Sequence, residues 1–269
     1  MAVQVREPAV SDMFYPADPV VLRDMLNRFL DQAVLHPYRP EAVASPHAGY
    51  IYSGPVAAYS YKQFFNLEKK HYTVLLIGPS HYVPFEGISF GYYDYWLTPL
   101  GEVKVNKREI ERFILENKDL PVTLNTIPHL KEHSLEVQIP FLQVVLEDFS
   151  IVPVVYGQVS YDVVERVIDG IKDDRDGVVV VISTDLSHYY PDAVAREIDA
   201  NCNLAVENLD LSYLERCEAC GKTGLAAIID YAKLKGWKGK VLDYRTSGDT
   251  SGDRSAVVGY GSYIFYRER

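Results

Sequence analysis

The sequence predicts one α/β domain over residues 1–269, with a mixed but largely parallel central sheet flanked by helices. Three observations carry that expectation. Val178-Val-Val-Val-Ile182 is a run of β-branched residues, suited to a strand buried on both faces in the middle of a parallel sheet. Apolar strand patterns alternate with 3.6-period helical patterns along most of the chain. The 269 residues suit one large domain or two small ones, and no compositional break, low-complexity tract or linker divides them.

In chain order, residues 1–18 are irregular, punctuated by Pro8 and Pro16, with Met13-Phe14-Tyr15 as aromatic anchors onto the body of the fold. Asp18-Pro19 reads as an N-cap with proline at the first helical position, opening a helix to about Ala33. A short strand from Glu41 leads into a loop with His47, followed by a helix over roughly Pro55 to Phe65. The strand from Tyr72 ends at His81. Residues 85–105 read as short antiparallel strands with a turn at Leu100-Gly101, and Lys107 to Asn117 as a helix. A polar loop carries His129 and His133, and Leu135 to Leu146 is helical. A strand from Ser150, a helix over Tyr161 to Ile171 and the Val178 strand follow. Asp192 to Asn208 and Tyr213 to Lys235 read as helices. The chain closes with Lys240 to Arg245, a polar loop over Thr246 to Asp253, and a strand from Ser255 to Arg267.

Composition excludes several classes. The net charge is −10, with 27 Lys and Arg against 37 Asp and Glu, which argues against a nucleic-acid backbone as partner. No apolar run approaches the ~20 residues of a membrane helix. The first residues lack the pattern of a secretory signal, so a cytoplasmic location is expected. Three cysteines, Cys202, Cys217 and Cys220, do not read as a disulfide framework. Cys217-Glu-Ala-Cys220 matches C-x-x-C, but without a second ligand pair for zinc or a thioredoxin-like context it reads as structural thiols.

The chemistry gathers at strand ends. His47, His81, and Asp185 with His188 each stand just beyond an apolar strand, at the edge where open α/β sheets bind ligands. Two histidines and a carboxylate with open positions suit non-haem Fe(II). Zinc accepts the same set. A third histidine works as acid and base, and Asp185 can instead orient a histidine. His133 and Glu136, three residues apart at a helix start, share one face and are candidate substrate-binding residues. His36, His71 and His129 lack such context and read as surface residues. The Thr246–Asp253 loop reads as a hairpin-type connection, an anion cradle, or a donor of a carboxylate or hydroxyl to the site.

Taken together, Arg6-Glu-Pro-Ala-Val, Phe14-Tyr-Pro, Ser45-Pro-His-Ala-Gly-Tyr, Gly78-Pro-Ser-His, Glu132-His-Ser-Leu-Glu-Val-Gln-Ile-Pro-Phe and Ser183-Thr-Asp-Leu-Ser-His resemble the Memo family (mediator of ErbB2-driven cell motility) over nearly the whole chain. The resemblance implies a fold similar to class III extradiol ring-cleaving dioxygenases. It implies His47 and His81 as metal ligands, Asp185 and His188 lining the same pocket, and His133 near it. Animal members supply a cysteine ligand from the late loop before the last strand. Here that loop, Ser247-Gly-Asp-Thr-Ser-Gly-Asp253, has none, and Asp249 or Thr250 falls about where it would be. Asp249 would complete a two-histidine, one-carboxylate set.

The expected activity is therefore that of a metal-dependent oxidoreductase on a small substrate, with Fe(II), or alternatively Zn or Cu, held by His47, His81 and Asp249. Asp185 and His188 are the expected catalytic pair. The alternatives are an adaptor that keeps the pocket for a peptide or phospho-ligand, and a metal-dependent hydrolase. Family resemblance also implies radical-SAM and AMMECR-type protein partners.

Overall fold

The computed structural model describes residues 1–269. The strands are β1 (Val5–Arg6), β2 (Pro40–Ser45), β3 (Tyr72–Pro79), β4 (Ile88–Phe90), β5 (Tyr95–Thr98), β6 (Gly101–Val105), β7 (Val122–Thr123), β8 (Phe149–Tyr156), β9 (Val178–Ser183), β10 (His188–Tyr190), β11 (Lys238–Thr246) and β12 (Val257–Tyr266). The helices are α1 (Pro19–Gln32), α2 (Tyr50–Lys62), α3 (Lys107–Glu116), α4 (His133–Glu136), α5 (Ile139–Val145), α6 (Tyr161–Lys172), α7 (Asp192–Asn208), α8 (Lys222–Leu234) and α9 (Ser247–Ser251).

All strands join one twelve-stranded sheet, ordered β1-β5-β6-β8-β3-β9-β2-β12-β10, with β11 on β12 and β4 between β8 and β7. The centre is parallel: β6, β8, β3, β9 and β2 run the same way. Antiparallel strands sit at the flanks, where β12 pairs with β2 and β5 with β6. This is the mixed, largely parallel α/β sheet that the sequence predicts. Every residue of β2, β3 and β9 is buried, because helices cover both faces of a parallel sheet. The ends of β3, β9 and β2 are neighbours, so the residues after Pro79, Ser183 and Ser45 emerge side by side.

Local chemistry fixes several boundaries. Asp18 caps α1, accepting from the Val20 and Val21 amides. Gly101 closes the β5–β6 turn at φ +120, a conformation open to glycine.

Four expectations need correction. Helix α2 begins at Tyr50 rather than Pro55 and carries Pro55 inside it. Tertiary bonds start it early: the Tyr50 amide donates to Phe14 O and its hydroxyl to Val137 O. The helix expected over 213–235 is broken. A 3₁₀ turn ends at Arg216 and α8 starts at Lys222, with Cys217 to Gly221 as the link. His129 is fully buried, its ring donating from Nε2 to Ser89 O at 3.0 Å. The Thr246–Asp253 loop contains the short helix α9, closed by a reciprocal Thr246–Asp249 cap.

Candidate metal site

His47, His81 and His133 come together beyond the ends of β2 and β3 and at the start of α4. Each offers a ring nitrogen, and these atoms lie within 4.8 Å of one another. Ring centroids are 5.1 Å apart for His47–His81, 5.2 Å for His47–His133 and 4.6 Å for His81–His133.

The surrounding hydrogen bonds orient these rings. Tyr61 donates to Gln138 Oε1 at 2.5 Å, which turns the Gln138 amide nitrogen toward Ser183 Oγ at 3.0 Å. Ser183 spends its own proton on Ser134 O at 2.6 Å. Ser183 Oγ can then only accept from His47 Nδ1, 2.8 Å away. His47 therefore carries its proton on Nδ1 and leaves the Nε2 lone pair free. His81 donates from Nδ1 to Glu132 Oε2 at 2.9 Å, which frees its Nε2 in the same way. His133 Nδ1 meets the Tyr82 hydroxyl at 3.0 Å. Three histidines, each held through one nitrogen by a polar partner, form the outer arrangement that metal-ligating histidines require.

Burial keeps the His47 and His133 rings neutral, as ligands must be. It holds the His47 pKa down at about 3, helped by the neighbouring His81. It holds His133 at about 4, helped by His47. Burial alone would raise the Glu132 carboxyl. The His81 ring and the Ser134 and His81 amides overcome this and hold it at about 2. An anionic Glu132 beneath His81 thus offsets the charge of a bound cation. The side chain of His81 is 26% exposed, so the site opens to solvent on that side.

A thiol arrives beside His47 from the link before α8, outside the group of three converging ring nitrogens. Cys220 Sγ lies 3.2 Å from His47 Nε2 and accepts from the Asp185 amide at 3.3 Å. In a tetrahedral site the edge between a thiolate and an imidazole nitrogen is about 3.5 Å, so this spacing suits two ligands of one ion. Gly221 lets the link approach: a Cβ there would stand 2.6 Å from Ser183 O. Burial, with Asp185 nearby, raises the Cys220 thiol to about 12. The proton therefore stays on sulfur and lies toward His47 Nε2 until a cation displaces it.

Asp185 holds the His47 amide through Oδ1 at 2.8 Å, with Oδ2 3.8 Å from His47 Nε2. Burial raises its carboxyl pKa. His188 is half-buried on β10, close enough to Asp185 to act on its charge.

Two expected site residues are elsewhere. Asp249 caps α9 and is committed to Arg196 at 2.7 Å, Arg254 at 2.8 Å and the Thr246 amide at 3.0 Å. It is not among the converging ligands. Glu136 faces inward: its carboxylate takes Arg6, the Ala9 amide at 2.6 Å, the Val10 amide and the Tyr15 hydroxyl at 2.9 Å each. It anchors the N-terminal segment and has no oxygen left for a substrate. That segment in turn sets Phe14 against His133, with ring centroids 4.7 Å apart.

Sequence reasoning missed Cys220 and Glu132. The signal for Cys220 was the Cys-Gly pair inside the stretch read as one helix, where glycine disfavours a helix interior and permits close approach. The signal for Glu132 was an acid beside His133 in a motif already singled out. The thiol also corrects the reading of the C-x-x-C pair: Cys217 is bonded to Cys202, with 5.0 Å between their Cα atoms, and Cys220 is free. A surface depression of about 540 Å³ is lined by His71, Lys104, Lys107 and Ser150 among others. It lies at the opposite end of the strands and holds none of these groups.

No helix is long and apolar enough to cross a membrane. Residues 6–264 match the family described as Memo-like protein. The chain is 38% identical to a MEMO1 family protein of Sulfolobus acidocaldarius, across 97% of this chain and 99% of the relative. It is 37% identical to one of Aquifex aeolicus, across 98% and 100%, and 36% identical to one of Archaeoglobus fulgidus, across 97% and 99%.

Proposed function

The chain belongs to the Memo-like protein family, and from that membership and its histidine face we propose that it is a metal-dependent oxidoreductase acting on a small substrate, with Fe(II) as its metal. The observation that carries this reading is the convergence of the three rings, each tied back through Nδ1. His47, His81 and His133 would hold the cation, with Cys220 beside His47. Imidazole and thiolate donors suit iron, zinc and copper; the fold that the family resemblance implies, similar to extradiol dioxygenases, favours iron among them. When bound, such a metal supplies Lewis acidity and redox chemistry with positions open to substrate.

The protein's own groups then have defined work. Asp185 fixes the His47 backbone and places a buried carboxyl beside the metal face. His188, beside Asp185, moves a proton to or from the substrate as general acid and base. Glu132 orients His81 and offsets positive charge. His47 and His133 are buried while His81 is partly exposed, so water reaches the site from the His81 side.

A second reading, a binding module, is favoured by the exposed aromatics near the site. Tyr82 is 53% exposed while touching His133, and Tyr189 is 76% exposed beside His188. One experiment separates the two. The protein is loaded anaerobically with Fe(II) and its oxygen uptake measured against a panel of phenols, catechols and small carbonyl compounds. An enzyme shows uptake with at least one class, and His188→Gln abolishes it while retaining the iron. No uptake from the iron-loaded protein with any class would leave the binding reading in its place.

A further inference from the structure

The C-x-x-C pair is divided between two tasks, and the division has a structural logic. Cys220 reaches the metal face. Cys217, three residues earlier, is bonded to Cys202 of α7. Both half-cystines are buried. We infer that the Cys202–Cys217 disulfide is the positioning crosslink of the metal site, holding Cys220 at His47 and so setting the affinity for the cation. The inference rests on the metal-site reading above.

Three observations support it. First, the link from Cys217 to Gly221 has no regular structure of its own. Its non-covalent ties include Glu218 accepting from the Tyr190 hydroxyl at 2.7 Å, Gly221 donating to Thr184 Oγ1 at 2.9 Å, Cys220 Sγ accepting from the Asp185 amide at 3.3 Å, and Lys222 donating back to Cys217 O at 3.0 Å. The first of these is exposed, and the last only folds the link onto itself. Second, α7 is already the post for the other side of the site. Asp199, one helical turn before Cys202, accepts from the Ser187 amide at 3.0 Å and from the Tyr244 hydroxyl at 2.5 Å. The turn carrying Asp185 and the link carrying Cys220 are thus fastened to one helix, three residues apart. Third, the tether is short. Three residues of chain span at most about 10 Å, so fixing Cys217 confines Cys220 to the neighbourhood of His47.

Reduction removes the fastening. A dithiol reductant gives two electrons and two protons, the Cys202–Cys217 S–S bond breaks, and two thiols remain. The link then keeps its exposed and local hydrogen bonds and two ties to the β9 turn, Gly221 to Thr184 Oγ1 and the Asp185 amide to Cys220 Sγ, but loses its covalent fastening to α7. Cys202 and Cys217 touch no ligand and act only through Cys220.

The test uses Co(II) alone as probe, because a Co(II)–thiolate bond gives a charge-transfer band that imidazole ligands do not. Oxidised wild type is titrated beside Cys202→Ser/Cys217→Ser, with Cys220→Ser as the reference lacking the thiolate. Wild type is expected to show the band. The double variant is expected to lose most of it and to bind Co(II) about 10- to 100-fold more weakly, the usual effect of losing a group that orients a ligand. Combining Cys220→Ser with the double substitution should produce no further weakening beyond Cys220→Ser. If the double variant fails to fold, anaerobically reduced wild type, freed of reductant, is measured in its place. A band and affinity equal to or stronger than those of the oxidised protein, in whichever form is measured, overturn the inference. Absence of Co(II) binding by oxidised wild type overturns the metal reading beneath it.

Discussion

Cys220 Sγ stands 3.2 Å from His47 Nε2 although 173 residues separate them. The contact joins the end of β2 to the link before α8 across the end of β9, and it sets a thiol beside one of the three converging histidines. Removing the thiol should therefore weaken metal binding without unfolding the protein. Cys220→Ala is expected to raise the dissociation constant for Zn(II) or Co(II) by at least about tenfold, measured by competition with a chelating dye. Its thermal midpoint should stay within a few degrees of wild type.

Glu132 orients His81 and sits beneath the site as an anion. Glu132→Gln keeps the shape and an acceptor oxygen but removes the charge. Metal affinity should fall about 10- to 100-fold with secondary structure unchanged by circular dichroism. An unchanged affinity would show that His81 needs no anionic partner.

Asp249 supplies the opposite control. Its carboxylate caps α9 and pairs with Arg196 and Arg254. Asp249→Ala should leave metal affinity within about twofold while costing about 1 kcal/mol of stability through the lost cap. A loss of metal equal to that of Cys220→Ala would restore Asp249 as a ligand.

The central parallel strands and most helix boundaries were legible because β-branched runs, the Asp18 cap and amphipathic spacing are local signals. That His47, His81 and Asp185 stand together at one sheet edge was legible because they follow such strands directly. Glu136 was misread because the sequence shows its helical face but not that Arg6, 130 residues away, occupies it. Asp249 was misread because the sequence contains no cysteine in that loop, whereas the structure delivers Cys220 from another. Which loops converge on an edge depends on strand order, and strand order is a tertiary property.

The Arg6–Glu136 pair should dominate the stability of the N-terminal segment. Both side chains are about 1% exposed, and removing one partner leaves the other charged and buried. Arg6→Ala is expected to destabilise by about 3–5 kcal/mol, read as a lowered urea midpoint. A change below about 1 kcal/mol would mean the segment contributes little to the fold.

Acid should destabilise the metal-free protein well before carboxylates protonate in bulk. Burial holds His129 and His47 at about 3 in the fold, against 6.5 for an ordinary histidine. Between these values the unfolded chain binds protons that the folded chain refuses, so stability is complete above about 6.5 and declines as pH falls toward 3. At pH 5 each of the two contributes a loss of roughly 2 kcal/mol. Urea denaturation at pH 7 and pH 5 checks this; equal midpoints would contradict it.

The central claim is that His47, His81 and His133 share one metal ion. The most direct test is metal content after anaerobic Fe(II) loading and removal of free iron, for wild type and for His81→Ala, whose side chain is exposed enough for the change to be tolerated. The account predicts about one iron per chain in wild type and a large loss in the variant. Equal iron in both, or none in wild type, would contradict it.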